Sequence, residues 1–153
     1  MRTALSWPGP LVLVLSLACI RVVPAFAQGD AAAGRLIFSQ KCASCHTITA
    51  DSVPTPNGPS LVGVVGRRAG VAPGWVYSPA LRASGNEFHP RGRAYLFWSG
   101  ENLDKFLTEP KTFVPGSRMD LKMPDPTERA NVIAYMRSVL PPPGMLPVDK
   151  HPN

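Results

Sequence analysis

Three segments of the chain carry apolar residues at helical spacing, and long stretches between them show no period at all. From Gly29 to Lys41 a run of alanines favours helix, and Gly34, Ile37 and Phe38 fall on one face. Ser99 stands as an N-cap ahead of Leu103, Phe106 and Leu107, with Pro110 as the stop. The third segment is the best marked. Asp125 occupies the cap position, Pro126 the first turn and Glu128 the third position of a capping box; Val132, Ile133, Tyr135 and Met136 follow, up to Pro141-Pro142-Pro143. Thr49 to Gly74 is rich in Pro, Gly, Asn and Ser and reads as loop. Ser78 to Leu81 predicts a turn of helix, Arg82 to Arg93 a polar surface excursion, and Thr112 to Pro124 irregular chain. No segment alternates as a strand does, so the expected class is all-α, with three to five helices joined by long loops. Loops this long and this poor in aliphatic residues need something else to pack against, and a large apolar cofactor would supply it.

Composition narrows the picture without changing it. The 153 residues allow one domain, and 44% hydrophobic against 17% charged side chains are enough to bury a core. Eighteen prolines and thirteen glycines rule out a single long helical rod. Residues 1–27 have the order of a secretory signal peptide: a positive Met1-Arg2 start, an apolar Leu11 to Ile20, and Ala25-Phe26-Ala27 before Gln28. The apolar run is shorter than the roughly 20 residues of a membrane span and is cut by Arg21, against the competing reading of an uncleaved anchor with the domain facing the periplasm. A lipoprotein signal at Cys19 fits poorly beside Ser16 and Arg21. Removing the leader takes away Arg2 and Arg21 and no acid, lowering the formal charge from +6 to +4. The basic residues are scattered, so nucleic-acid binding finds no support. The expected organisation is a signal over 1–27, one domain over 28–140 and a flexible proline-rich tail over 141–153.

The exported chain keeps two cysteines, both in Cys42-Ala43-Ser44-Cys45-His46. C-x-x-C-H is the pattern of c-type haem attachment: two thiols three residues apart reach the two vinyl groups of one porphyrin, and the adjoining imidazole becomes a ligand to its iron. A structural zinc site would need further thiols or a histidine pair, a thioredoxin-like redox pair would sit in a βαβ pattern, and a plain disulfide leaves His46 as coincidence. For the opposite face of the iron the residues alone leave Met119, Met123, His89, His151 or nothing. Met119 follows Pro115-Gly116-Ser117-Arg118, an irregular strap long enough to fold over a haem face; Met123 lies four residues on; Met136 and Met145 default to packing and tail.

With those residues in view, the chain resembles the class I cytochrome c family, in its mitochondrial and bacterial c2-like branch. The matching stretches are Gly34 to His46 (GRLIFSQKCASCH), Gly58 to Leu61, Gly66 to Tyr77 (GRRAGVAPGWVY), Trp98, Leu103 to Met119 (LDKFLTEPKTFVPGSRM) and Glu128 to Tyr135 (ERANVIAY). The resemblance implies an all-α fold wrapped round one haem c, held through Cys42 and Cys45, with His46 and Met119 as iron ligands. It implies that the Pro59 carbonyl accepts the His46 Nδ1–H, and that Arg67, Tyr77 and Trp98 surround a buried haem propionate. It also implies that Gly34 and Phe38 pack on Val132 and Tyr135. Three departures stand out. Phe106 replaces a tyrosine that reaches the methionine sulfur in many relatives, Leu121 replaces an aromatic, and extra residues lie between Tyr77 and Trp98.

The implied function is a soluble periplasmic one-electron carrier, a monomer and not an enzyme, working between a quinol-oxidising complex or dehydrogenase and a terminal acceptor such as an oxidase. A rim of Lys41, Lys111, Arg118 and Lys122 would steer an acidic redox partner. The competing readings, a haem peroxidase or reductase and a gas-binding haem protein, both need an open iron site.

Overall fold

The structure, a computed structural model, describes residues 29–50, 53–86 and 95–140. The signal, the tail, His89, His151 and most of the polar excursion lie outside the described residues. Within them the chain forms five helices: α1 (Ala31–Lys41), α2 (Pro79–Asn86), α3 (Gly100–Thr108), α4 (Pro110–Phe113) and α5 (Pro126–Ser138). Sheet pairing among the described residues is limited to two isolated bridges, Thr55 with Gly58 and Arg68 with Phe97. No helix among them is long and apolar enough to cross a membrane.

Helix α1 starts where its cap allows. Asp30 takes an extended backbone and its carboxylate accepts from the Ala32 and Ala33 amides, satisfying donors the helix cannot. Ser99 does the same for α3 through the Asn102 amide, and Asp125 for α5 through the Thr127 and Glu128 amides. The Asp125 box is only half made. Glu128 does not return to the Asp125 amide but reaches Lys41 at the end of α1, at 2.5 Å.

Two elements differ from expectation. The expected turn at Ser78 to Leu81 continues to Asn86, because Ser78 caps it through the Leu81 amide at 3.3 Å and Pro79 suits its first position. Its Gly85 lies against the turn at Ala69: a Cβ there would stand 1.7 Å from the Ala69 carbonyl oxygen. Close packing thus holds a helix that glycine and asparagine weaken. Pro110 stops α3 as expected but also opens α4, which runs through Thr112 and Phe113, the first two residues of the stretch expected to be irregular.

The core forms where α1 and α5 cross and α3 packs alongside. Phe38 meets Tyr135 edge-on, with ring centroids 5.6 Å apart, and Val132 is fully buried beside them. The crossing needs Gly34, whose added Cβ would lie 2.0 Å from the Asn131 carbonyl oxygen. Asn131 also ties the start of α1, accepting from the Asp30 amide at 2.8 Å. The expected contact of Gly34 and Phe38 with α5 is therefore present. On the other side of the core, Trp98 packs on Phe106 at 4.8 Å and Phe106 on Phe113 at 6.4 Å.

Candidate cofactor site

The end of α1 builds the first wall of the site. Cys42 closes the helix, its amide donating to the Phe38 carbonyl, and the Cys45 and His46 amides both return to the Cys42 carbonyl at 3.0 and 2.9 Å. This tight turn places both sulfurs and the imidazole on one cavity. No disulfide joins the two sulfurs. Burial pushes the Cys42 thiol up to about 11, Lys41 opposing and Cys45 adding to the shift, so before attachment it is protonated at neutral pH.

The loop after the motif fixes the ring. His46 Nδ1–H donates to the Pro59 carbonyl at 2.9 Å, which leaves Nε2 as the ring's deprotonated donor atom. Burial lowers the His46 pKa, with the Pro59 bond opposing, so the ring is neutral as a ligand must be. Two residues that hold this arrangement were not singled out from the sequence. Thr55 donates to the Cys45 carbonyl at 2.5 Å and accepts from the Asn57 and Gly58 amides at 3.1 Å. Gly58 lies flat against the imidazole: a Cβ there would stand 2.7 Å from His46 Cε1 and Nδ1. The bond from His46 to Pro59 is the one the resemblance implied; the contact of Gly58 with the same ring was not foreseen.

The second wall joins distant segments. Trp98 and Arg67 are bridged by backbone bonds, the Trp98 amide to the Arg67 carbonyl at 2.8 Å and the Gly66 amide to the Trp98 carbonyl at 3.0 Å. The Arg67 guanidinium is buried, 8% exposed, and donates to the Val62 and Ser60 carbonyls at 3.0 Å each. No carboxylate among the described residues pairs with it. Burial lowers its pKa and raises that of Tyr77; the neighbouring Tyr77 opposes the first shift, and Arg67 with the Ala72 backbone opposes the second.

These elements enclose a cavity of about 370 Å³ lined by all eight residues singled out above: Cys42, Cys45, His46, Pro59, Arg67, Tyr77, Trp98 and Met119. Met119 is half-buried there, whereas Met123, the rival sulfur, is absent from the lining and fully buried, its amide bonded to the Leu107 carbonyl at 2.8 Å. Met136 of α5, expected as core filler, also borders the cavity. Leu81 and Phe106 keep the lining apolar.

The residues present fit a haem c. Two thiols, a neutral imidazole and a thioether are the donors such a group uses, in a largely apolar cavity of cofactor size. The buried Arg67 cation, bonded to two carbonyls beside Tyr77 and paired with no carboxylate among the described residues, suits an anionic group of the cofactor, since an unpaired buried charge is costly.

The basic rim appears in altered form. Lys41 pairs with Glu128, Lys111 with Asp120, and Lys122 with Glu109 at 2.6 Å, while Arg118 forms no ion pair among the described residues.

Comparison with known proteins agrees with this geometry. The family model for cytochrome c matches residues 31–140. Cytochrome c type-1 of Ascaris suum is 36% identical over 117 residues, covering 74% of this chain and 92% of its own. Cytochrome c2 iso-1 of Rhodospirillum centenum is 37% identical over 125 residues, covering 72% and 97%. The solved structure of cytochrome c2 from Rhodospirillum centenum superposes with a TM-score of 0.65 at 33% identity, covering 74% of this chain and 100% of that one.

Proposed function

Because the chain belongs to the cytochrome c family, as an electron carrier with one haem c bound through Cys42 and Cys45, we propose that it is a soluble periplasmic carrier with His46 and Met119 as its iron ligands. In this reading residues 1–27 direct export and are removed, 28–140 form the carrier domain, and 141–153 are a proline-rich tail. Its partners are redox proteins: a quinol-oxidising complex or dehydrogenase as donor and a terminal oxidase or similar protein as acceptor. The observation that carries the proposal is the convergence on one cavity of the Cys42/Cys45 pair, the His46 ring held by Pro59, and Met119, drawn from segments far apart in the chain.

When bound, the haem supplies a one-electron iron couple. His46, held by Pro59, would ligate its iron through Nε2, and Met119 would supply a soft thioether that favours the reduced ion. Held by both residues, the iron would have no position open to a substrate, which would separate a carrier from a peroxidase, reductase or gas-binding protein. Leu81, Phe106 and Trp98 exclude water from the cavity, so little solvent needs to reorganise when charge changes. The Arg67 guanidinium, with Tyr77 and Trp98 also at the cavity, would balance a propionate of the haem.

The test is ligand exclusion. The ferrous protein is expected to show no spectral change under carbon monoxide at neutral pH, while exchanging single electrons rapidly with small mediators. Prompt carbon monoxide binding would place the protein with the open-site readings. Arg67→Leu is expected to cost about 3–5 kcal/mol in denaturant unfolding of the haem-loaded protein, since it strands a buried carboxylate. An unchanged midpoint would remove Arg67 from the propionate role.

A further inference from the structure

Two arginines are buried among the described residues, and of these only Arg67 borders the cavity. The other, Arg129, stands near the start of α5 at 8% exposure. Its guanidinium bridges two other segments. Nε donates to Asp104 Oδ1 of α3 at 2.7 Å, and Nη1 donates to the Met123 and Pro124 carbonyls at 2.8 and 2.9 Å. A planar fork can serve a carboxylate and two carbonyls at once, which a single ammonium cannot.

Those two carbonyls stand at the end of the strap that carries Met119. At its start Ser117 is buried; its amide donates to the Val114 carbonyl at 2.9 Å, and its hydroxyl accepts from the Met119 amide at 3.3 Å. At its end the Met123 amide donates to the Leu107 carbonyl at 2.8 Å. Between Met119 and Met123, residues 120–122 make no backbone–backbone hydrogen bond among the described residues. Their side chains add the exposed pairs of Asp120 with Lys111 and Lys122 with Glu109, which hold a chain only weakly. The far leg of the strap therefore depends on its anchor at 123–124, and slack gained there passes along a four-residue tether to Met119.

We propose that Arg129 is a positioning residue for Met119: braced by Asp104, it fixes the carbonyl end of the strap and so keeps the thioether at the cavity. Arg129 is not part of the cavity lining and acts only through the chain it holds. Loss of the brace shifts the strap toward an open form, and a small ligand that competes with the thioether gains apparent affinity in proportion to the open population. The purpose of the device rests on the reading of Met119 as iron ligand; the fixing of the strap does not.

The experiment compares two variants of the haem-loaded protein with the parent. Arg129→Lys keeps a cation on α5 but cannot reach all three acceptors. Asp104→Asn leaves Arg129 in place and alters a side chain that is 44% exposed, so the fold is retained. Amide hydrogen exchange is read at Ser117, Met119 and Met123 in the strap, and at Gly34 and Cys42 of the α1 turns, whose amides donate to the Asp30 and Phe38 carbonyls. The strap amides are expected to exchange about tenfold faster in Arg129→Lys, with a smaller change of the same sign in Asp104→Asn, while Gly34 and Cys42 change by less than about twofold. Imidazole, titrated into the ferric protein, is expected to bind about tenfold more tightly to Arg129→Lys than to the parent. Equal acceleration at strap and α1 would make Arg129 a general stabiliser and overturn the proposal, as would unchanged exchange in the strap. Met119→Ala serves as the control for the ligand. If it binds imidazole tightly and Arg129→Lys does not, the positioning role is overturned. If the strap amides accelerate as expected but Met119→Ala binds imidazole no better than the parent, the result counts against Met119 as ligand and leaves the anchor at Arg129 standing.

Discussion

Met119→Ala, prepared with its haem attached, is expected to lose the weak long-wavelength absorption band of methionine-to-ferric-iron ligation and to show a lower reduction potential. Met123→Ala is expected to keep both. The two sulfurs are four residues apart and chemically alike, but their surroundings differ. Met119 borders the cavity and is half-buried. Met123 is fully buried outside the lining, and its backbone is pinned from both sides, the amide by the Leu107 carbonyl and its own carbonyl by Arg129 Nη1 at 2.8 Å. Arg129 is itself held by Asp104 at 2.7 Å. Met123 therefore cannot swing to the cavity without breaking that anchor. Its truncation should instead leave a core cavity and cost about 2–5 kcal/mol of unfolding free energy. A band that survives loss of Met119 would mean that another group holds the iron, with Met136 the next sulfur at the lining.

Gly34→Ala should destabilise the protein even though it improves the helix that carries it. Alanine is the better helix former by about 1 kcal/mol, and nothing in the glycine's own backbone requires its freedom. The added Cβ, however, would stand 2.0 Å from the Asn131 carbonyl oxygen and 2.9 Å from Tyr135 Cβ, on a helix that cannot retreat. Asn131 is bonded to the Asp30 amide and Tyr135 meets Phe38 edge-on, so separating α1 from α5 gives up both contacts. The expected net effect is a loss of about 1–3 kcal/mol or more, seen as a lower denaturant midpoint of the haem-loaded protein with its spectrum unchanged. A midpoint equal to or above the parent's would show that the helices can part at no cost.

Much of this was readable before any coordinates. The caps at Asp30, Ser99 and Asp125 mark helix starts because their side chains act on amides two or three residues away. The attachment motif is likewise local, with both thiols and the imidazole within one turn. Ser78-Pro79 carried the same signal as Asp125-Pro126, but Gly85 and Asn86 obscured how far α2 runs until its contact with Ala69 was seen.

Features that depend on residues near in sequence were thus settled by the order of side chains alone: the helix caps, the thioether-forming turn, and the apolar spacing of the core faces. Features that depend on residues far apart were settled only by folding. Glu128 could serve its own cap or reach Lys41, and the crossing of α1 with α5 decided for Lys41. Gly58 became a support for His46 because the loop folds back on the turn. The lysines at 41, 111 and 122 acquired carboxylate neighbours through the folding of distant or looped segments. The reason is range: hydrogen bonds and packing at a few ångströms can be read from spacing only where the chain itself supplies the proximity.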